Sequence, residues 1–396
     1  MKRVVLLIAM LLFMIAVHAQ RPADANFIEA QVKPYVLPDV LQTTKHTRIR
    51  NKADWGSNRP ALLHLFEDHI YGQMPKHFDD IRFSLIKKDE NAMQGKATLK
   101  QVVVEVAQRR QAVKINLVLF VPNNRKQAAP AFLLINNRGK ENMDATRAVK
   151  TGFWPAELVI DSGYAVAAFH VADAAPDHKD TFMNGVLRLY PEQLSAGNGM
   201  RAIGAWAWAA SRILDYLQTD PDIDAARVAV VGHSRGGKAA LWAAAQDQRF
   251  AMCVSNCSGN TGAALARRNF GESIKAINTS FPHWFNSNYK QYNDNEQALP
   301  VDQHMLLALI APRPLYVTNA SEDLWADPTG TYLALQHAER VYELYGTQSQ
   351  LPAQAPKIDH PLLDGHLGYH NRGGIHDLTP YDWQNFIRFA NRYISD

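Results

Sequence analysis

Cysteine is almost missing from this chain: Cys253 and Cys257 are the only two among 396 residues. If the apolar run around them is a strand, four steps of ~3.3 Å put their Cα atoms ~13 Å apart. A disulfide spans less than about 7 Å. Both therefore read as thiols in or beside a core, and a disulfide-stapled fold is excluded. A large charge of one sign is missing as well. The formal net charge of +4 falls to +2 (4 − 2) if Lys2 and Arg3 leave with a leader, and the remaining Lys and Arg are scattered. So mild a surplus gives no reason to expect nucleic acid as a partner. Beyond the N-terminus no apolar run is long enough to cross a bilayer. Internal repeats, low-complexity tracts and long linkers are also lacking, which leaves one domain and no propeller.

The N-terminus itself is distinctive. Lys2 and Arg3 precede an apolar run from Val4 to Val17, and Val17-His18-Ala19 places small residues at cleavage-site positions. Together these read as a Sec-type signal peptide over residues 1–19. The run is short for a membrane anchor, and no Cys follows it to carry a lipid. The expected product is secreted, periplasmic or extracellular, and monomeric. Its roughly 375 residues (396 − 19) are many for one domain, but α/β folds often run that long.

Residues 20–59 are polar and Pro-containing, and read as an extended leader wrapping the catalytic domain at 60–396. Pro60 stands where a helix could begin, with Leu62, Leu63, Leu65, Phe66 and Ile70 at helical spacing. Strands are predicted over 99–106, 113–121, 131–135, 165–169, 228–231, 250–255 and 315–319. Helices are predicted over 202–217, 236–245, 332–345 and 381–394. Short apolar strands alternating with helices of this length imply an α/β fold, its mostly parallel sheet covered on both faces. The stretch 259–303 is irregular and rich in Asn and aromatics, and is expected to form a loop-rich insertion over the site.

The strongest local signal is Val228-Ala229-Val230-Val231-Gly232-His233-Ser234-Arg235-Gly236-Gly237-Lys238. A β-branched strand runs into G-x-S-x-G and then into an Ala-rich helix, the nucleophile elbow of the α/β-hydrolases. Small neighbours are needed because the turn is tight, and the helix N-terminus offers free N–H groups. The Arg235 N–H is a natural donor to a tetrahedral oxyanion. The chain order in this fold is Ser, acid, His. His376 sits in a flexible loop (Arg372-Gly373-Gly374-Ile375-His376-Asp377) before the last helix, where a base could reach Ser234; His366 and His370 are the fallbacks. For the acid, Asp323 follows the predicted strand 315–319, with Glu322 and Asp327 as alternatives.

With these residues placed, the chain resembles the bacterial glucuronoyl esterases over most of its length. The resemblance rests on the segment 232–238, on Phe281-Pro282-His283-Trp284-Phe285, on Leu299-Pro300-Val301-Asp302-Gln303-His304, on the run from Leu306 to Pro314, and on 323–328. It implies hydrolysis of esters between an alcohol and (4-O-methyl-)glucuronic acid, as in glucuronoxylan and lignin–carbohydrate cross-links, with no metal or cofactor. It implies that the Arg235 side chain also helps stabilise the oxyanion. It implies that Lys238 hydrogen-bonds sugar hydroxyls, that Glu272 and Trp325 line a uronate pocket, and that Arg268 adds a uronate contact. One position departs from the pattern. Many members place a Glu where this chain has Cys257, which shifts the acid role to Asp323. Three readings compete with this one. They are a carbohydrate deacetylase such as an acetylxylan esterase, a prolyl-oligopeptidase-like peptidase, and a non-catalytic carbohydrate-binding relative.

Overall fold

The computed structural model describes residues 25–347 and 351–395, so the expected signal peptide lies outside the described residues. Nine strands form one mixed sheet in the order β1-β2-β3-β5-β4-β6-β7-β8-β9. They are β1 (Asp80–Ala92), β2 (Ala97–Gln108), β3 (Gln111–Pro122), β4 (Ala129–Asn136), β5 (Ala165–His170), β6 (Ile223–His233), β7 (Met252–Asn256), β8 (Leu315–Ala320) and β9 (Leu367–Arg372). The pairs β1–β2, β2–β3 and β3–β5 are antiparallel, and every pair from β5 across to β9 is parallel.

Every residue of β4, β7 and β8 is buried. Such strands can be apolar on both faces because helices cover both. On one face lie α1 (Lys52–Phe66), α2 (Ala202–Leu217), α3 (Arg235–Gln246) and α4 (Pro328–Leu344), packed on Leu133, Ile135, Val228 and Val230. On the other, α5 (Pro380–Ala390) and the short helix Ala156–Asp161 pack on Phe132, Leu134, Ala229 and Val231. The alternation follows the two-residue period of a strand. No helix among the described residues is long and apolar enough to cross a membrane.

Three differences from the sequence reading have local causes. Helix α1 begins at Lys52 rather than Pro60, because the Asn51 side chain accepts from the N–H groups of Ala53 and Asp54 and caps it there. Pro60 is tolerated inside the helix: it and Gly56, whose carbonyl loses its partner, both face solvent. Strand β1 was not foreseen, since it carries Lys87-Lys88-Asp89-Glu90; charge suits an exposed edge, which the backbone ladder and the packing of Ile81 and Phe83 on the core hold in place. Strand β9 was also missed, because Gly368, His370 and Asn371 dilute its apolar signal. The 259–303 stretch does form a loop-rich segment with short helical turns, though much of it is folded inward and buried.

The antiparallel part is tied to the parallel part by a buried cation. The Lys100 ammonium on β2 lies 2.5 Å from Asp220 and 2.7 Å from Asp222 at the turn before β6. Asp220 also accepts the Tyr216 hydroxyl at 2.6 Å. Removing one partner of a buried pair typically costs ~3–5 kcal/mol, and Asp222 would retain part of the compensation. Asp220→Ala is therefore expected to destabilise by about 2–3 kcal/mol, read as a lower urea midpoint; an unchanged midpoint would remove this tie from the account.

Candidate active site

Ser234 stands between β6 and α3 at φ +56° and ψ −128°, a conformation that side chains rarely adopt. The backbone there is held because its N–H donates to the Asn256 carbonyl at 2.8 Å. A Cβ on Gly232 would lie 2.0 Å from the Gly236 carbonyl oxygen, and one on Gly236 would lie 2.8 Å from Asn137 Oδ1. Only glycine fits at 232, against backbone, and at 236 a Cβ would displace the Asn137 side chain. The elbow thus projects the Ser234 side chain into a cavity of about 440 Å3, a volume in the range of small-molecule sites.

His376 reaches the same cavity from the loop between β9 and α5. Its Nδ1 lies 2.5 Å from Asp323 Oδ2, and the Asp323 side chain is only 3% exposed against 38% for the imidazole. Arg372 shapes this loop. Its guanidinium donates to the carbonyls of Gly373 at 3.0 Å, Ile375 at 2.6 Å and Asp377 at 2.9 Å. The buried Asp382 carboxylate holds Arg372 Nε at 3.0 Å. Beneath His376 lies His233, ring centroids 4.6 Å apart. Burial, then the nearby His376 and Arg138, push the His233 pKa well below the ordinary value, so this ring is a neutral platform.

The alternatives fall away on geometry. His370 is buried between Asp382 and the Tyr316 hydroxyl, and His366 packs its ring on Tyr393. Asp327 caps α4 by accepting from the Gly330 N–H and pairs with Arg268. Glu322 lines the cavity, but Asp323 is the carboxylate that bonds His376. Cys257 stands beside this pair: its Sγ, an Asp323 oxygen and a His376 nitrogen all lie within 4.8 Å of one another. Burial, and then the Asp323 charge, raise the thiol pKa well above its usual value. A protonated thiol cannot supply the negative charge that steadies an imidazolium.

Lys238, Glu272 and Trp325 line the cavity with Ser234. Their polar atoms bond one another. The Lys238 ammonium donates to the Ser258 carbonyl at 2.8 Å, to the Asn260 carbonyl, and to Glu272 at 2.8 Å. The second Glu272 oxygen accepts the Trp325 indole N–H at 3.3 Å. Arg268 is a correction. It stays out of the cavity because Asp327 takes its Nε at 2.9 Å and Glu29 takes its Nη2 at 2.7 Å.

Asp177 was missed. It forms an ion pair with Arg235 while accepting His283 Nε2 at 2.9 Å and Trp284 Nε1 at 2.7 Å. Burial alone would raise its pKa, but the His283 hydrogen bond and the Arg235 charge outweigh that and hold the carboxyl below its usual range. The Phe281 and Trp284 rings, stacked 3.8 Å apart, form another wall of the cavity. The Phe281–Phe285 segment was singled out in the sequence, but no pattern there assigned it a wall.

The family model described as glucuronyl esterase, fungi, matches residues 104–346, more than half of the chain. A carbohydrate esterase from an unknown prokaryotic organism is 39% identical over 414 aligned residues, covering 96% of this chain and 94% of its own. The chain belongs to the glucuronoyl esterase family. Among solved structures it is similar to a glucuronoyl esterase from Solibacter usitatus, at 36% identity and TM-score 0.86, covering 91% of this chain and 99% of that one. It is also similar to a promiscuous CE15 esterase from a marine bacterial metagenome, at 38% identity and TM-score 0.86, covering 93% and 100%. As a glucuronoyl esterase the chain is a carboxylic ester hydrolase with an α/β-hydrolase fold.

Two substitutions separate Asp323 from its thiol neighbour. Asp323→Asn is expected to lower kcat roughly 10⁴-fold, as loss of a triad aspartate does in a serine protease. Cys257→Ala is expected to keep turnover within about twofold, since a neutral thiol contributes little to the imidazolium. Near-normal turnover in the Asp323 variant would overturn the assignment.

Proposed function

We propose that this enzyme hydrolyses esters of glucuronic acid, with or without the 4-O-methyl group, by a Ser-His-Asp acyl-enzyme mechanism. The observation that carries the reading is the 2.5 Å bond from His376 Nδ1 to the buried Asp323, at the edge of the cavity that Ser234 enters. With Nδ1–H held by the carboxylate, Nε2 is the free acceptor. It takes the Ser234 proton as Oγ attacks the ester carbonyl. The Arg235 N–H at the start of α3 faces the developing oxyanion, and the Arg235 guanidinium adds positive charge beside it. His376 then returns the proton to the departing alcohol. Water, activated by the same nitrogen, releases glucuronate from Ser234.

The sugar is held by Glu272 and the Trp325 face. Because all three Lys238 protons are engaged, Lys238 contacts a sugar hydroxyl only by exchanging one of its bonds. Its steady part is to fix Glu272 in place. The uronate esters of glucuronoxylan and of lignin–carbohydrate linkages are the substrates this pocket suits, and residues 1–19 fit export to where such polymers occur. A cavity of about 440 Å3 is far larger than an acetyl group requires, which speaks against a dedicated deacetylase.

Kinetics on benzyl glucuronate and on acetylated xylan test the substrate directly. Turnover of the glucuronate ester that disappears in Ser234→Ala, with acetylated xylan at least ~100-fold slower by kcat/KM, is expected, a ratio worth ~2.7 kcal/mol of transition-state binding. A preference for acetyl groups would contradict the proposal. Glu272→Gln should raise KM for the glucuronate ester about tenfold, the loss of ~1.4 kcal/mol of charge-assisted hydrogen bonding, and leave hydrolysis of a simple phenyl acetate unchanged.

A further inference from the structure

Beside the proposed base and acid stands a sulfur donor, Cys257, and the three together make a mixed ligand set. Cys257 Sγ, an oxygen of Asp323 and a ring nitrogen of His376 converge within 4.8 Å of one another. All three residues line the cavity that also holds Ser234, so an ion can reach them by the substrate's route. We propose that Cys257, Asp323 and His376 form an inhibitory binding site for a thiophilic divalent cation, with zinc as the type. The inference rests on the reading of His376 as the base.

The donor chemistry favours zinc over the hard cations. A thiolate, an imidazole and a carboxylate are its usual protein ligands, whereas magnesium and calcium take oxygen alone. Bonds of ~2.3 Å to sulfur and ~2.0–2.2 Å to nitrogen and oxygen put tetrahedral ligand atoms ~3.3–3.7 Å apart. The 2.5 Å contact between His376 and Asp323 must therefore open by about 1 Å. No other separation exceeds 4.8 Å, so none has to close by more than about 1.5 Å. A flexible side chain supplies such shifts. His376 is the partner with room to shift, its side chain 38% exposed while Asp323 is buried. Because the three residues line the cavity, water or a substrate oxygen there would complete the tetrahedron.

Proton bookkeeping explains why binding stops the reaction. The metal–sulfur bond forms as the Cys257 S–H bond breaks, and that proton goes to solvent. Coordination at His376 Nδ1 displaces the proton shared with Asp323, which moves to Nε2, and the imidazole stays neutral. An Nε2 that carries a proton cannot accept one from Ser234. The Asp323 oxygen bound to the cation is equally lost to the base. With a Glu in place of Cys257 the site would lack its soft donor, so the sensitivity belongs to the thiol.

Two readouts test this on the full-length mature enzyme. Zinc chloride should inhibit hydrolysis of benzyl glucuronate reversibly, with activity restored by EDTA. In Cys257→Ala, the half-inhibiting concentration should rise more than about tenfold, the least that loss of even an outer-shell partner costs a metal site, while metal-free turnover stays near that of wild type. Cys257→Ser, which keeps the size and removes the soft donor, should behave the same way. Independently, cobalt titration should give a near-ultraviolet thiolate-to-metal band in wild type and in Ser234→Ala, absent from both Cys257 variants. Equal zinc sensitivity in wild type and both Cys257 variants, or no thiolate band in wild type, would overturn the site. A thiolate band with undiminished turnover would instead contradict the role of His376 as base.

Discussion

The serine backbone at φ +56° is packed so closely that a Cβ at position 232 would strike the Gly236 carbonyl and one at 236 would press on Asn137. That constraint organises the site. The parallel strands β4, β6, β7 and β8 fix the rim where the turn occurs. Helix α3 closes over it and brings Arg235 and Lys238 onto the cavity wall. Strain of this kind costs of order 1–3 kcal/mol and persists where surrounding packing over-determines it. Here the packing is a strand buried at nearly every position after Arg227 and a helix buried from Gly236 to Ala245.

Around that bend stand buried or half-buried ion pairs: Lys238 with Glu272, Arg235 with Asp177, and Arg372 with Asp382. Buried pairs add little net stability, because desolvation offsets most of their attraction. Their value lies in orientation. Arg372 clamps the three carbonyls that shape the His376 loop, and Asp177 fixes the guanidinium beside the nucleophile. The polar groups are set before substrate arrives, so little reorganisation is left for the reaction itself.

What could be read from the sequence follows from the range of the contacts. Ser234 was legible because strand, G-x-S-x-G and helix are contiguous. His376 and Asp323 were chosen from the order of their loops along the chain, and the structure places their side chains 2.5 Å apart. Arg268 went astray because its partners lie 59 and 239 residues away, at Asp327 and Glu29. Asp177 was invisible for the same reason, since His283 is 106 residues on. Among the strands, β1 escaped because its charged run suits an exposed edge rather than a core strand. In the sequence, Cys257 stood out only against the Glu that the resemblance implies at its position. That its sulfur converges with His376 and Asp323 needed three-dimensional placement.

Labelling with a fluorophosphonate, followed by peptide mass mapping, tests the central claim most directly. The bend at Ser234 and its coupling to His376 and Asp323 predict a single modified residue, Ser234, and much slower labelling when residue 323 loses its charge. Modification of another residue, or no reaction with an enzyme that is folded and binding substrate, would contradict it.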